Sequence, residues 1–252
     1  MNRLAGSIAY GFFNMLHPRM LWLMFWPLLV AVFAWGVAAF LFWARAALWI
    51  AAQLKQWIES GILFFRFDTG DAMLVAAHIL LLVLFVPLVY LTALFILSLF
   101  GMQAMVDHVA ERRFPALARR RGGSAAGNAW NGVVALAGMA GLAILTLPFW
   151  VIPPLWPLIP VVVMAWVNQR VLRYDALAEH ATPEEMRAIF AERRRSLYML
   201  GLVLAVLAYV PVLGFFAPVM IGLAFIHYLL SEVQARRIAP IEGEVLRPAI
   251  DA

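Results

Sequence analysis

Residues 196–231 read SLYMLGLVLAVLAYVPVLGFFAPVMIGLAFIHYLLS, without one charged side chain. Pro211, Gly214 and Pro218 interrupt the run near its middle. Each arm is about 15 residues, or about 22 Å as a helix, against an apolar bilayer thickness of about 30 Å. Neither arm crosses comfortably, so the stretch predicts a helical hairpin that enters and returns on the same side. Residues 129–168 repeat the design, with Pro148, Pro153, Pro154, Pro157 and Pro160 between an arm of about 19 residues and one of about nine before Arg170, unless the second runs past it. The expected hairpins are 129–172 and, behind a short cytoplasmic helix, 183–235. Non-helical backbone at membrane depth is tolerated only when buried in protein or lining a water-filled cavity, so this layout predicts a packed assembly or a polar pathway. Two ordinary hairpins of short but full spans, giving six crossings, are the alternative.

Working outward, residues 20–44 are also free of charge. They exceed the about 20 residues that a span requires, which predicts a tilted transmembrane helix over 20–55, too long to be a cleaved signal peptide. Trp22, Trp26, Trp43 and Trp49 sit toward its ends, as interfacial aromatics do. The next charge-free run, 72–106, would reach about 52 Å as one helix, longer than the bilayer with its headgroups. Pro87 stands alone and predicts a kink rather than a turn. One long helix over 72–113 is expected, ending before Pro115. Residues 1–19 place Leu4, Ile8, Phe12 and Leu16 four apart, the pattern of an interfacial helix. In Thr182-Pro183-Glu184-Glu185, the threonine caps, the proline takes the first helical position and Glu185 closes a capping box. Residues 238–252, with two prolines and several acids, are expected as a disordered tail. The fold class is therefore an all-α integral membrane protein: two long transmembrane helices plus two proline-broken, half-penetrating helical hairpins, in one membrane domain over 1–237.

Composition agrees. Of 252 residues 65% are apolar and 13% charged, and the mean hydropathy is +0.89. Soluble domains run at about 45–50% and about 25%. A soluble enzyme, a disordered chain and a disulfide-built secreted fold are excluded. The absence of cysteine removes thiolate chemistry, Cys-ligated zinc and Fe–S clusters. The net charge is +5, carried by arginine except for Lys55. Nucleic acid is not expected as a partner, because basic loops orient a membrane protein. Arg45, Lys55 and Arg66 lie between the first two spans. All other basic residues fall on the opposite side, which puts both termini in the cytoplasm.

No Walker-type glycine loop, HExxH or GxSxG is present, and neither a cofactor nor a metal is expected. Gly122-Gly123 behind Arg119-Arg120-Arg121 suggests a flexible cytoplasmic loop, with anion binding as the sharper alternative. Asp107 and Glu111, sharing a helical face with His108, are expected to neutralise Arg112 and Arg113. His78 is an intramembrane ionisable residue and so a pathway candidate. His227 is placed near the cytoplasmic interface. Asn131 and Asn168, with Asn128 and Gln169, lie at the mouths of the first hairpin and either tie helices together or line a path. The returning helices of the hairpins are expected to start near Pro160 and Pro218. Their free N–H groups would carry the positive end of the helix dipole inside the membrane, a transporter device for anions.

Three stretches carry a family resemblance: HPRMLWLMFWP at 17–27, RYDALAEHATPEEMRAIFAERRR at 173–195 and YVPVLGFFAP at 209–218. Over about residues 5–235 the chain resembles the CysZ-type sulfate permeases, within the wider etoposide-induced-protein family. The resemblance implies two long spans, two half-penetrating hairpins, a homo-oligomer in the bacterial inner membrane, and sulfate entry for cysteine synthesis without ATP hydrolysis. In those permeases a Pro-Gly-x-Arg-Arg motif binds the anion. Counted from Pro18, its glycine falls on Arg19 and its arginines on Leu21 and Trp22. Arg19, then Arg173 and Arg187, are the expected anion contacts, and a small inorganic anion and membrane lipid the expected partners. The alternative function is a non-transporting membrane scaffold or assembly factor.

Overall fold

The computed structural model describes residues 2–59 and 70–246, and these form helices joined by short turns, with no strand among them. The elements are α1 (Asn2–Met15), α2 (Pro18–Glu59), α3 (Gly70–Arg113), α4 (Ala125–Thr146), α5 (Leu158–Leu177), α6 (Pro183–Glu192), α7 (Arg194–Leu207) and α8 (Pro211–Leu246), with 3-10 turns at Leu147–Val151 and Pro153–Leu155. Five segments are long and apolar enough to cross a bilayer: Pro18–Ile58, Asp71–Arg113, Ala126–Val151, Pro153–Leu177 and Pro211–Ile238. The protein is an all-α, multi-pass membrane protein.

The chain packs as two compact units. Trp22–Phe100 holds most of α2 and α3. Both helices run unbroken through Pro27 and Pro87. Ala31, Val89 and Ala93 pack between them with Leu28, Trp35 and Phe85, and Trp35 Nε1 donates to Thr92 Oγ1 at 2.9 Å. Arg66 lies outside the described residues.

The other unit, Met1–Leu21 with Gly101–Ala252, is built around α8. Leu223, Ala224, Phe225, Ile226, Leu229, Leu230 and Val233 are fully buried, and α1, α5 and α7 pack against this helix. Small residues set the close crossings. A Cβ on Gly11 of α1 would stand 2.7 Å from the Met220 carbonyl oxygen, and one on Gly201 of α7 would stand 2.6 Å from that of Ala165 on α5. α1 meets α8 through its buried positions Ser7, Tyr10, Gly11 and Met15, while Leu4, Ile8 and Phe12 are half-buried and Leu16 is 54% exposed.

Other expectations are corrected. α8 starts at Pro211, so Pro218 is not a helix start, whereas α5 starts at Leu158, two residues before Pro160. Pro211 takes the first helical position of α8 and Pro160 the third of α5, where no N–H is required; Pro218 lies inside α8. α5 runs past Arg170 to Leu177, so both arms of the first hairpin have spanning length and only α7, at 14 residues or about 21 Å, is a short arm. α8 continues through residues 238–246, which were expected to be a disordered tail; residues 247–252 lie outside the described residues. The loop before α4 is hydrogen-bonded to the end of α5.

Candidate functional site

The polar ends of the second unit are tied together. Ser124 caps α4, accepting from Gly127 N–H at 3.0 Å. The three residues before it donate backbone N–H bonds to the end of α5 and the turn after it: Arg121 to Glu179 O, Gly122 to Ala181 O and Gly123 to Ala178 O, at 2.8–3.0 Å. A Cβ at Gly122 would strike Ala181 O and the Thr182 backbone, and one at Gly123 would strike Ala178. Arg121 itself has φ 42. The amides are used up, so this glycine pair is a strap and not an anion cradle.

Beside the strap, Arg237 of α8 grips Glu185 through two hydrogen bonds of 3.0 Å and also donates to Ala118 O and His180 O. Glu185 closes the capping box of α6: Thr182 N–H donates to its carboxylate, and its own N–H donates to Thr182 Oγ1. The hydrogen bonds from Arg237 hold the Glu185 carboxyl below the ordinary range. Arg119 pairs with Asp107 at 2.6 Å and Glu179 at 3.6 Å. Burial, then the Arg119 charge, pushes His180 below the usual imidazole value, against the pull of Glu179 and Asp107. Glu232, buried in α8, accepts from Arg193 Nε at 2.9 Å and stands 3.6 Å from Arg3.

The turn from α1 to α2 is different, because it collects cations and imidazoles without an acid. His17 precedes Pro18, and its Nδ1 faces the Arg19 N–H at 3.2 Å, in the position of a side-chain cap for α2. Its Nε2 faces Arg112 Nη1 at 2.7 Å. A neutral imidazole has one accepting nitrogen, so at most one of these contacts is a hydrogen bond in either tautomer. In the other, donor faces donor. His108 lies against His17 with ring centroids 4.8 Å apart. It is 4% exposed, and neither ring nitrogen has a partner. The charged groups acting on it are His17, Arg112 and Arg19, all basic. The arrangement asks for an acceptor: a small anion would take hydrogen bonds from Arg112 and His17 and satisfy both.

Asp107 and Glu111 do not neutralise Arg112 and Arg113 as expected. Asp107 is engaged by Arg119, Arg112 turns to His17, and the Arg113 guanidinium stands 5.3 Å over the Tyr10 ring. Tyr10 stacks on His227 at 4.4 Å, and the Ser7 hydroxyl meets His227 Nδ1 at 2.9 Å. Burial pushes the Tyr10 hydroxyl above its ordinary value.

Of the expected anion contacts, only Arg19 belongs to the basic turn, and it is exposed. Arg173 lies over the Phe190 ring at 4.7 Å, 3.4 Å from Gln169 Oε1. Arg187 is exposed on α6. Asn131 is buried and donates to Arg170 O at 3.1 Å, a tie between α4 and α5. Asn168 is half-buried on α5. His78 belongs to the α2–α3 unit, where Nδ1 meets Leu74 O at 2.7 Å and the ring stands 6.2 Å from Trp43. Sequence reasoning missed His17, Arg112 and the pairing of Ser7 and Tyr10 with His227. Only His17 had a local signal, the His-Pro step before a span. No group of three or more potential metal ligands occurs among the described residues.

Helices of spanning length, proline-bounded hairpins and a basic turn ahead of the first long span define a polytopic membrane protein. The family model described as Sulfate transporter CysZ/Etoposide-induced protein 2.4 matches residues 7–218, and the chain belongs to that family. Neither a curated protein nor a solved structure matches it significantly.

Proposed function

We propose that the protein is a permease of the bacterial inner membrane that passes a small oxyanion, sulfate or a close relative, into the cytoplasm down its gradient. It works as a homo-oligomer with both termini cytoplasmic, it does no enzyme chemistry, and its product feeds cysteine synthesis. The observation that carries this reading is the acid-free turn of His17, Arg19, His108 and Arg112, in which an imidazole faces two donors. The turn lies in the segment where the family resemblance expects the anion, although Leu21 and Trp22 stand in place of the motif's arginines. Arg112, delivered from the end of α3, replaces in space a guanidinium missing from the local sequence. Only the second hairpin keeps the half-penetrating layout, through the short arm α7. The tips of both hairpins, Leu147, Phe149, Trp150, Val151, Ile152 and Trp156 in one and Tyr209, Val210 and Val212 in the other, are 45–83% exposed and carry no charge. Side chains of this kind suit lipid, not an aqueous loop.

Sulfate titrated into the detergent-solubilised protein, followed by its thermal transition, tests the site. The transition rises with sulfate in the parent protein, and Arg112→Ala abolishes the rise. A rise of equal size in Arg112→Ala and Arg19→Ala would remove the site, and with it the advantage of this reading over a non-transporting scaffold.

A further inference from the structure

A second polar cavity lies away from the basic turn, between α1 and α8. Its volume is about 300 Å³, and its walls are Arg3 and Gly6 of α1 with His227, Ser231, Gln234, Ala235 and Ile238 of α8. That is the room of about ten waters, and it reaches the lower end of small-molecule sites. The α8 residues recur three or four apart and so form one stripe. None of the lining residues is acidic. Glu232, the carboxylate next to Arg3, is already held by Arg193 at 2.9 Å and stands 3.6 Å from Arg3. One carboxylate against two guanidiniums leaves a positive charge, and the side chain of Arg3 is 54% exposed. Gln234 adds an amide donor. The Ser7 and Ser231 hydroxyls spend their protons on Arg3 O and Tyr228 O, and His227 Nδ1 is taken by Ser7. Two donors with spare capacity, Arg3 and Gln234, therefore face the cavity, and what they fit is an oxyanion.

We propose that this cavity is a binding site for a phosphate ester, and that its occupant is the headgroup of an anionic phospholipid. The cavity sits between helices of a membrane protein, and with Arg236 and Arg237 already paired to Glu192 and Glu185 its charge comes from Arg3. Basic pockets of that placement suit acidic headgroups. Apolar surface lies in the lining itself for an acyl chain to meet: Ile238 is 46% exposed. The proposal does not depend on what the basic turn carries.

Gly6 supplies the decisive variant. A Cβ built on it meets nothing within 4 Å, so Gly6→Leu fills the cavity without a clash, and Gly36→Leu, in equally open space on α2, is its control. The full-length protein is equilibrated in neutral-detergent micelles doped with phosphatidylglycerol or phosphatidylcholine, and retained lipid is counted by native mass spectrometry. In parallel, the thermal transition is followed with glycerol phosphate and with inorganic phosphate. The parent protein and Gly36→Leu are expected to retain phosphatidylglycerol in preference to phosphatidylcholine. Gly6→Leu loses that preference, and Arg3→Gln weakens apparent affinity about fivefold, the effect of one arginine near a headgroup. Protection by glycerol phosphate or inorganic phosphate without lipid preference, lost in Gly6→Leu, keeps the oxyanion site but assigns it a soluble occupant. Lipid retention unchanged in Gly6→Leu, or no response to any of these probes, overturns the proposal.

Discussion

Arg237 shows how one residue joins parts far apart in sequence. Its guanidinium holds the Glu185 carboxylate, the Ala118 carbonyl and the His180 carbonyl at once. Removing it leaves a half-buried carboxylate with the Thr182 N–H at 2.8 Å and the looser Arg120 contact at 3.6 Å. Arg237→Ala is expected to destabilise the protein by about 2 kcal/mol, within the range for hydrogen bonds to charged groups, and a thermal melt in detergent measures it. The same neighbourhood sets a pH dependence. His180 is buried with its pKa lowered, so the unfolded chain binds its proton first as the pH falls below 6.5, and stability declines from there down to the folded value. The depressed Glu185 carboxyl contributes stability that is complete above 4.5 and is lost as the pH falls through its folded value. Melting temperature against pH should therefore fall in two stages, and His180→Phe should shrink the upper one while leaving the lower. At this scale little was legible beforehand. The Thr182–Glu185 capping box could be read because both partners lie within one turn. The strap at Gly122–Gly123 and the grip of Arg237 could not, because their partners lie tens of residues away.

At the scale of elements the sequence says more. The charge-free runs marked α2, α3 and the two hairpins, and the end of α3 at Arg113 agrees with the expectation drawn from Pro115. What failed was the choice among prolines. A cluster marks a break without saying which member begins the returning helix. That depends on which peptide N–H is left unpaired, and Pro157 and Pro211, at the cap and first positions, are the ones tolerated without loss. The seat of α1 on α8 could not be read from its apolar stripe, because close backbone approach at Gly11 sets it. Gly11→Ala is therefore expected to destabilise the α1–α8 contact by about 1–3 kcal/mol, since its Cβ would stand 2.7 Å from Met220 O. Gly141→Ala, in open space on α4, should be neutral or stabilising. Paired thermal melts compare them, and equal transitions would remove the glycine argument.

For the molecule as a whole, class and family follow from composition and three short stretches, whereas the route of the transported species does not. The basic turn is assembled from the start of α2 and the end of α3, nearly a hundred residues apart, so no local motif announces it. The expected arginine pair is absent at Leu21 and Trp22, and the guanidinium that reaches this turn from another helix is that of Arg112. If Arg112 supplies the missing guanidinium, transport depends on it although it lies outside the motif. Uptake of radiolabelled sulfate into proteoliposomes is the direct measure. Entry above the level of empty liposomes, lowered at least tenfold by Arg112→Ala, an effect of about 1.4 kcal/mol for one charge-assisted contact, is the predicted result. Uptake no faster than in empty liposomes, with chloride and phosphate equally silent, would contradict the account.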